Sequence, residues 1–496
     1  MDTLTAYKEH LTEMRKLYSA QALLGWDLHA HMPKKAAPFR SQVIAKLATM
    51  AFELAVSDEL GGFIEELEKN DDLSEIEKRS IRHVARDYRR HKAVPPEFVK
   101  EVSEARSSAQ STWTQAKAAS DFASFKPYLE KNVELARRYA DYLGFEDHPY
   151  DALLEDFEPG MTCEQLSGII EPLKEDLVPF LAKLMESGTH PDPSPLKGSF
   201  DLDAQRKLAR RSLEIILYDF DAGGLTDVTH PFTTTIGPGD IRVTNRYAED
   251  HLGPGLFAAL HEGGHALYNQ GFSNDLYALG VAGGASNGIH ESQSRMIENQ
   301  IGRSLPFWQG FQPVLAEYFP QFAQTSPELL HGAANIVAPS LIRVEADEVT
   351  YNFHIMLRFE LEAGLIDGSI AVADLPTLWN EAMDRYLGVA PPDDGQGVLQ
   401  DIHWSMGAFG YFPSYMLGNL YAAQMLKALR TALPGLDDQI RKLEFEPLLG
   451  WLRENVHQHG GLYLPTELME RITGAPLDGT HFVEYVTTKY SELYKL

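Results

Sequence analysis

The run His261-Glu262-Gly263-Gly264-His265 reads H-E-x-x-H inside Leu256–Gln270, a segment with helical character. On an α-helix, residues four apart share a face, so both imidazoles can reach one metal ion. Glu262 projects beside them, where a carboxylate can take a proton from metal-activated water. This spacing points to zinc-type hydrolysis. The competing reading is a polar stripe on an ordinary helix. Against it, Gly263 and Gly264 sit mid-helix, each costing on the order of 1 kcal/mol relative to alanine. Glycine there suits a helix that another backbone or a substrate approaches closely. The flanks Leu256–Leu260 and Ala266–Tyr268 are strongly apolar. Three titratable groups in such a run must be solvated, paired or metal-bound.

An H-E-x-x-H site needs a third protein ligand and one open position. The metzincin pattern would put Gly at 268 and His at 271, but the chain has Tyr268 and Gly271. A carboxylate on the following helix is the alternative. After the glycine-rich stretch 283–288, a helix runs onward to Ile301, with Glu291, Arg295 and Glu298 on one face. Glu291 is the expected ligand and Glu298 its competitor. Arg295 is placed to orient a carboxylate.

These groups must be held by the rest of 496 residues, which read as helix after helix. Helical periodicity covers Leu4–Leu24, Gln42–Leu54, Ser74–His91, Glu97–Ala118, Asp121–Tyr142 and Thr162–Met185, with Thr162 as an N-cap, and resumes over Asp203–Asp219. Thr189–Pro195 and Pro391–Gly397 are loops. The one strand signal is Pro231–Tyr247, a hairpin turning at Gly237–Asp240, just before the H-E-x-x-H helix. Its edge is suited to hold an extended peptide by main-chain hydrogen bonds, unless it is a plain surface hairpin.

Composition bounds the partners. Acidic residues outnumber basic ones and the net charge is −27, which disfavours nucleic acid and anionic membranes. No stretch of about 18 apolar residues predicts a membrane span. The N-terminus lacks a basic region followed by an apolar run. The single cysteine, Cys163, excludes an intrachain disulfide and fits a reducing cytoplasm.

The pairing of H-E-G-G-H with His290-Glu291-Ser292-Gln293-Ser294-Arg295 resembles the thermostable carboxypeptidase family typified by carboxypeptidase Taq. Further matches are Asp240-x-Arg242-x-Thr244, the run Ile342–Glu348, the run Gly397–Trp404, and Trp26-Asp27 with Met32-Pro33 and Arg40-Ser41-Gln42. They occur in order over nearly the whole chain. The resemblance implies a mainly α, neurolysin-like fold: one domain over 1–496, two helical lobes around a deep groove, and a small β-sheet beside the metal helix. It implies a homodimer that removes single C-terminal residues from peptides with broad specificity, with zinc as cofactor and cobalt able to replace it. It maps His261, His265 and Glu291 to metal ligands and Glu262 to the base.

The tetrahedral oxyanion needs donors as well. His403 is the candidate for substrate binding, and Tyr415 or Tyr411 for oxyanion stabilisation. The free C-terminal carboxylate calls for a bidentate arginine. Arg343 and Arg242 are the candidates, with Arg246 behind them, and the acids near Arg343 offer it a purely structural role. Three rival functions share these residues: an oligoendopeptidase or dipeptide-releasing carboxypeptidase, a non-catalytic peptide-binding protein, and a structural metal site.

Overall fold

A computed structural model describes residues 2–496. Helices make up 68 % of the chain, and the only sheet among the described residues has three strands. The helix starts follow local chemistry. Ser74 caps Glu75–Ala93 in a capping box with Glu77, and Thr162 caps Cys163–Glu186 in one with Gln165. Pro95-Pro96 ends one helix and opens the next, Pro96–Ala119, because proline lacks the N–H that a helix interior uses and its fixed φ suits a first turn. No helix among the described residues is long and apolar enough to cross a membrane.

The sheet order is β1-β3-β2, with β1 Gly223–Asp227, β2 Thr233–Gly237 and β3 Asp240–Asn245. The hairpin β2–β3 is the one read from the sequence, with a register shift between Thr235 and Gly237. Strand β1 escapes sequence reading. Gly-Gly-Leu-Thr-Asp has no alternating apolar pattern, and it becomes a strand only by pairing in parallel with β3.

The hairpin is locked by its own motif. Asp240 holds Arg242 through Nε and Nη2 at 2.8 and 2.9 Å, and the Thr244 hydroxyl meets both the N–H and the C=O of Phe232 at 2.8 Å. Asn245 donates to the carbonyl of Gly255 at 2.9 Å and so ties the hairpin to the start of the motif helix, Gly253–Gln270. The first helix, Thr3–Ala30, packs against β2. Its Trp26 lies under the Arg242 guanidinium at 4.3 Å, and Asp27 pairs with Arg40 at 2.6 Å. The Asp240-x-Arg242-x-Thr244 match and the Trp26-Asp27 match with Arg40 therefore form one contact surface.

One large apolar core extends from Ala109 to Tyr494, and smaller clusters serve the N-terminal helices. Two fully buried glutamates cross-link this core beside the site. Glu158 accepts from the Tyr421 hydroxyl at 2.6 Å and the Gly288 N–H at 3.1 Å. Glu362 accepts from Tyr150, Trp404 Nε1 and the Gly410 N–H at 2.6–3.0 Å. Burial outweighs these hydrogen bonds and pushes both carboxyls up to about 7. A folded pKa above the unfolded one favours folding fully below the unfolded value near 4.5, and this contribution is lost as pH rises through about 7. Stability should therefore fall between pH 5 and 8. Glu158→Gln or Glu362→Gln should each flatten the fall by about 3 kcal/mol. Denaturant midpoints of the three proteins across that range check this, and an unchanged slope in both variants rejects it.

Candidate active site

The motif helix carries His261 and His265 on one face, with ring centroids 4.9 Å apart. Its glycines permit the packing that completes the site. A Cβ on Gly264 would stand 2.5 Å from the Gln293 carbonyl oxygen and 2.7 Å from Ser294 Cα, so only glycine lets the next helix, Asn287–Arg295, come this near. A Cβ on Gly263 would instead meet the side chains of Ile216 and Leu213. From the other side, a Cβ on Gly418 of Pro413–Ala432 would fall 2.5 Å from Glu291 Cγ. Glu291 is thus pressed against the histidines by two close helix approaches.

Its Oε2 lies 3.7 Å from His261 Nε2 and 3.4 Å from His265 Nε2. One ligand atom from each of the three residues lies within 4.8 Å of the others, and no further His, Cys, Asp or Glu joins the set among the described residues. Two imidazole nitrogens and a carboxylate oxygen suit a divalent ion. Three protein ligands match the open rather than the closed type of site.

The opposite ring nitrogens are held from behind. His261 Nδ1 meets Glu298 Oε2 at 2.9 Å, and His265 Nδ1 meets His290 Nδ1 at 2.6 Å. Glu298, the competing ligand in the sequence reading, therefore stands behind His261 instead of joining the trio. It is carried there by a turn of π-helix, Met296–Ile301, that ends the α-helical run. Arg295 donates to Glu291 Oε1 at 2.7 Å, and Arg303 donates to Glu298 Oε1 at 2.7 Å. Burial pushes the Glu291 carboxyl up, but Arg295 and the two histidines outweigh it and hold it well below the usual range. Glu262 is 7 % exposed. Its Oε2 and its main-chain oxygen both lie 2.8 Å from the Thr233 hydroxyl, whose single proton serves one of them at a time.

The carboxypeptidase Taq (M32) metallopeptidase family model matches residues 6–490. Carboxypeptidase 1 of Bacillus subtilis is 40 % identical over the whole of both chains. Thermostable carboxypeptidase 1 of Pyrococcus furiosus is 40 % identical over 97 % of this chain and 98 % of its own. The solved structure of the M32 carboxypeptidase from Deinococcus radiodurans superposes over 100 % of both chains, with TM-score 0.97 and 36 % identity.

The chain belongs to the carboxypeptidase Taq (M32) metallopeptidase family.

It is thus a metal-dependent carboxypeptidase, a peptide hydrolase, with the mainly helical fold that the sequence resemblance implied. In this metallocarboxypeptidase, His403 Nε2 lies 3.3 Å from the Tyr415 hydroxyl, and the His403 ring packs on Tyr411 and Phe412. Burial pushes His403 down to about 4, with Asp401 opposing and Arg343 and Arg358 assisting, so the ring is neutral at pH 7. Burial also raises Tyr411 and Tyr415, which keep their protons. All three candidates sit together.

The two candidate arginines are already engaged. Arg343 is 5 % exposed, donates to Asp401 Oδ1 from Nε and Nη2 at 3.2 and 2.9 Å, and gives Nη1 to the Tyr351 hydroxyl at 2.9 Å. Its guanidinium also lies 4.8 Å from the Tyr415 ring centroid. Arg242 is held by Asp240 and Trp26, as described above. Arg246 has no ion pair among the described residues. Asp401 additionally binds Arg358, so one carboxylate lies between two guanidiniums. Thr233, His290, Asn269, Tyr351 and Gly418 carry contacts that sequence reading did not assign. His290 had a signal, since it lies inside the H-E-S-Q match, whereas Gly418 had none.

Proposed function

We propose that this metallocarboxypeptidase releases single residues from free peptide C-termini with broad specificity, using zinc, replaceable by cobalt, on His261 Nε2, His265 Nε2 and Glu291. The observation that carries the reading is the convergence of two Nε2 atoms on Glu291 Oε2, with both Nδ1 atoms held from behind and the Glu262 carboxylate alongside. When bound, a divalent ion supplies Lewis acidity, which acidifies water and polarises a carbonyl.

The remaining work falls to the chain. Glu262 takes the proton of the attacking water on Oε1, the oxygen that Thr233 leaves free, and passes it to the leaving amine. Tyr415 and Tyr411 keep their hydroxyl protons, and one or the other donates to the tetrahedral oxyanion, while neutral His403 binds substrate. Arg343 or Arg242 anchors the C-terminal carboxylate, through the N–H groups that Asp401 and Tyr351 leave free on the one or Asp240 on the other. Family resemblance supports a homodimer, and the lone, buried Cys163 agrees with a cytoplasmic setting.

The test is metal analysis of purified protein together with product identification on one short peptide, C-terminally free or amidated. One zinc per chain is expected, with stepwise loss of single residues from the free peptide alone. Equal cleavage of both peptides would indicate the endopeptidase alternative, and dipeptide products the dipeptide-releasing one.

A further inference from the structure

We propose that His290 and Asn269 form a positioning relay that fixes the tautomer of His265 and presents its Nε2 lone pair to the metal site. The proposal rests on the reading of His265 as a ligand.

The relay follows from counting protons. His265 Nδ1 and His290 Nδ1 stand 2.6 Å apart, so one nitrogen carries the shared hydrogen and the other offers a lone pair. His290 Nε2 lies 2.9 Å from Asn269 Oδ1, which can only accept. The hydrogen of that bond therefore sits on His290 Nε2. No carboxylate bonds to the His290 ring, so it carries one N–H and its Nδ1 is bare. His265 Nδ1 must then be the donor, and its Nε2 is left with a free lone pair. That lone pair faces Glu291 Oε2 at 3.4 Å. Two electron-rich atoms face each other there, an arrangement that a cation between them stabilises.

Reversing one amide would undo this. With the Asn269 NH₂ toward His290, the ring would have to donate from Nδ1. His265 would then carry its hydrogen on Nε2 and close an N–H···O contact to Glu291, shutting out the ion. His261 needs no such relay, because the Glu298 carboxylate only accepts and sets that tautomer directly. A neutral relay behind His265 spares the site a fourth carboxylate beside Glu262, Glu291 and Glu298. Geometry favours the arrangement: Asn269 is one helical turn beyond His265, His290 adjoins Glu291 on the facing helix, and Tyr268 packs on the His290 ring at 5.2 Å.

The test measures Zn²⁺ affinity of metal-free full-length protein by competition with a chromophoric chelator. His290→Asn keeps an acceptor near the place of Nδ1, whereas His290→Gln carries its amide out toward Asn269 and leaves the His265 N–H without one. His290→Gln should weaken zinc binding by roughly 10–100-fold, and His290→Asn by less than about threefold. Independently, Asn269→Asp, which can only accept, should retain affinity, while Asn269→Leu should lose about as much as His290→Gln. A relay is a finer matter than packing, so thermal unfolding of each metal-free variant is recorded alongside. Equal affinities within both pairs, whether all intact or all weakened, would overturn the relay. His265→Ala is the control for the underlying reading: near-wild-type zinc affinity there would overturn His265 as a ligand, and the relay with it.

Discussion

Glu262→Gln is expected to lower kcat by about 10²–10⁴-fold while the purified variant keeps its metal. The substitution preserves shape, and the amide oxygen can still accept from Thr233, as Oε2 does at 2.8 Å. Only the capacity to take a proton is removed. Glu262 is not one of the three residues whose ligand atoms converge, so the metal should stay. Steady-state kinetics on a short peptide, with metal content by mass spectrometry, gives both readings. Turnover near that of the native protein would show that another group takes the proton.

Glu291→Ala should produce two losses at once. Zinc affinity should drop by more than the roughly 10–100-fold that loss of a supporting residue brings. The metal-free protein should also lose about 3–5 kcal/mol of stability, because Arg295 is left in the interior without the carboxylate it donates to. Glu298, 3.8 Å from Arg295 Nη1 and already shared with His261 and Arg303, makes a poor substitute partner. Denaturant unfolding of metal-free native and variant proteins separates this term from the stabilisation that bound metal adds. Adding Arg295→Met to Glu291→Ala should recover much of the stability and none of the metal affinity. A stability loss under 1 kcal/mol in the single variant would mean that the Arg295 charge is solvated.

Some of this was legible in the chain before folding. His261 and His265 share a face because any α-helix brings residues four apart together, and the helix itself is written in the apolar run around them. Thr162 reads as a cap, and Pro231–Tyr247 as a hairpin, for equally local reasons. The choice between Glu291 and Glu298 was not local. Seven residues apart on a helix, they point almost the same way. What separates them is the approach of two other segments at Gly264 and Gly418, and the π-turn that carries Glu298 behind His261.

The same holds for the charged groups. The acids inside its own motif offered Arg343 a structural partner, but nothing there showed that Asp401, 58 residues away, would hold part of its guanidinium. Sequence fixes what lies within a turn or a strand, since bond geometry sets those distances. Which nitrogen of each histidine faces Glu291, which carboxylate joins the histidine pair and which arginine N–H groups are already engaged depend on differences of a few tenths of an ångström in helix-to-helix distance. Packing sets those distances only when the whole chain has closed.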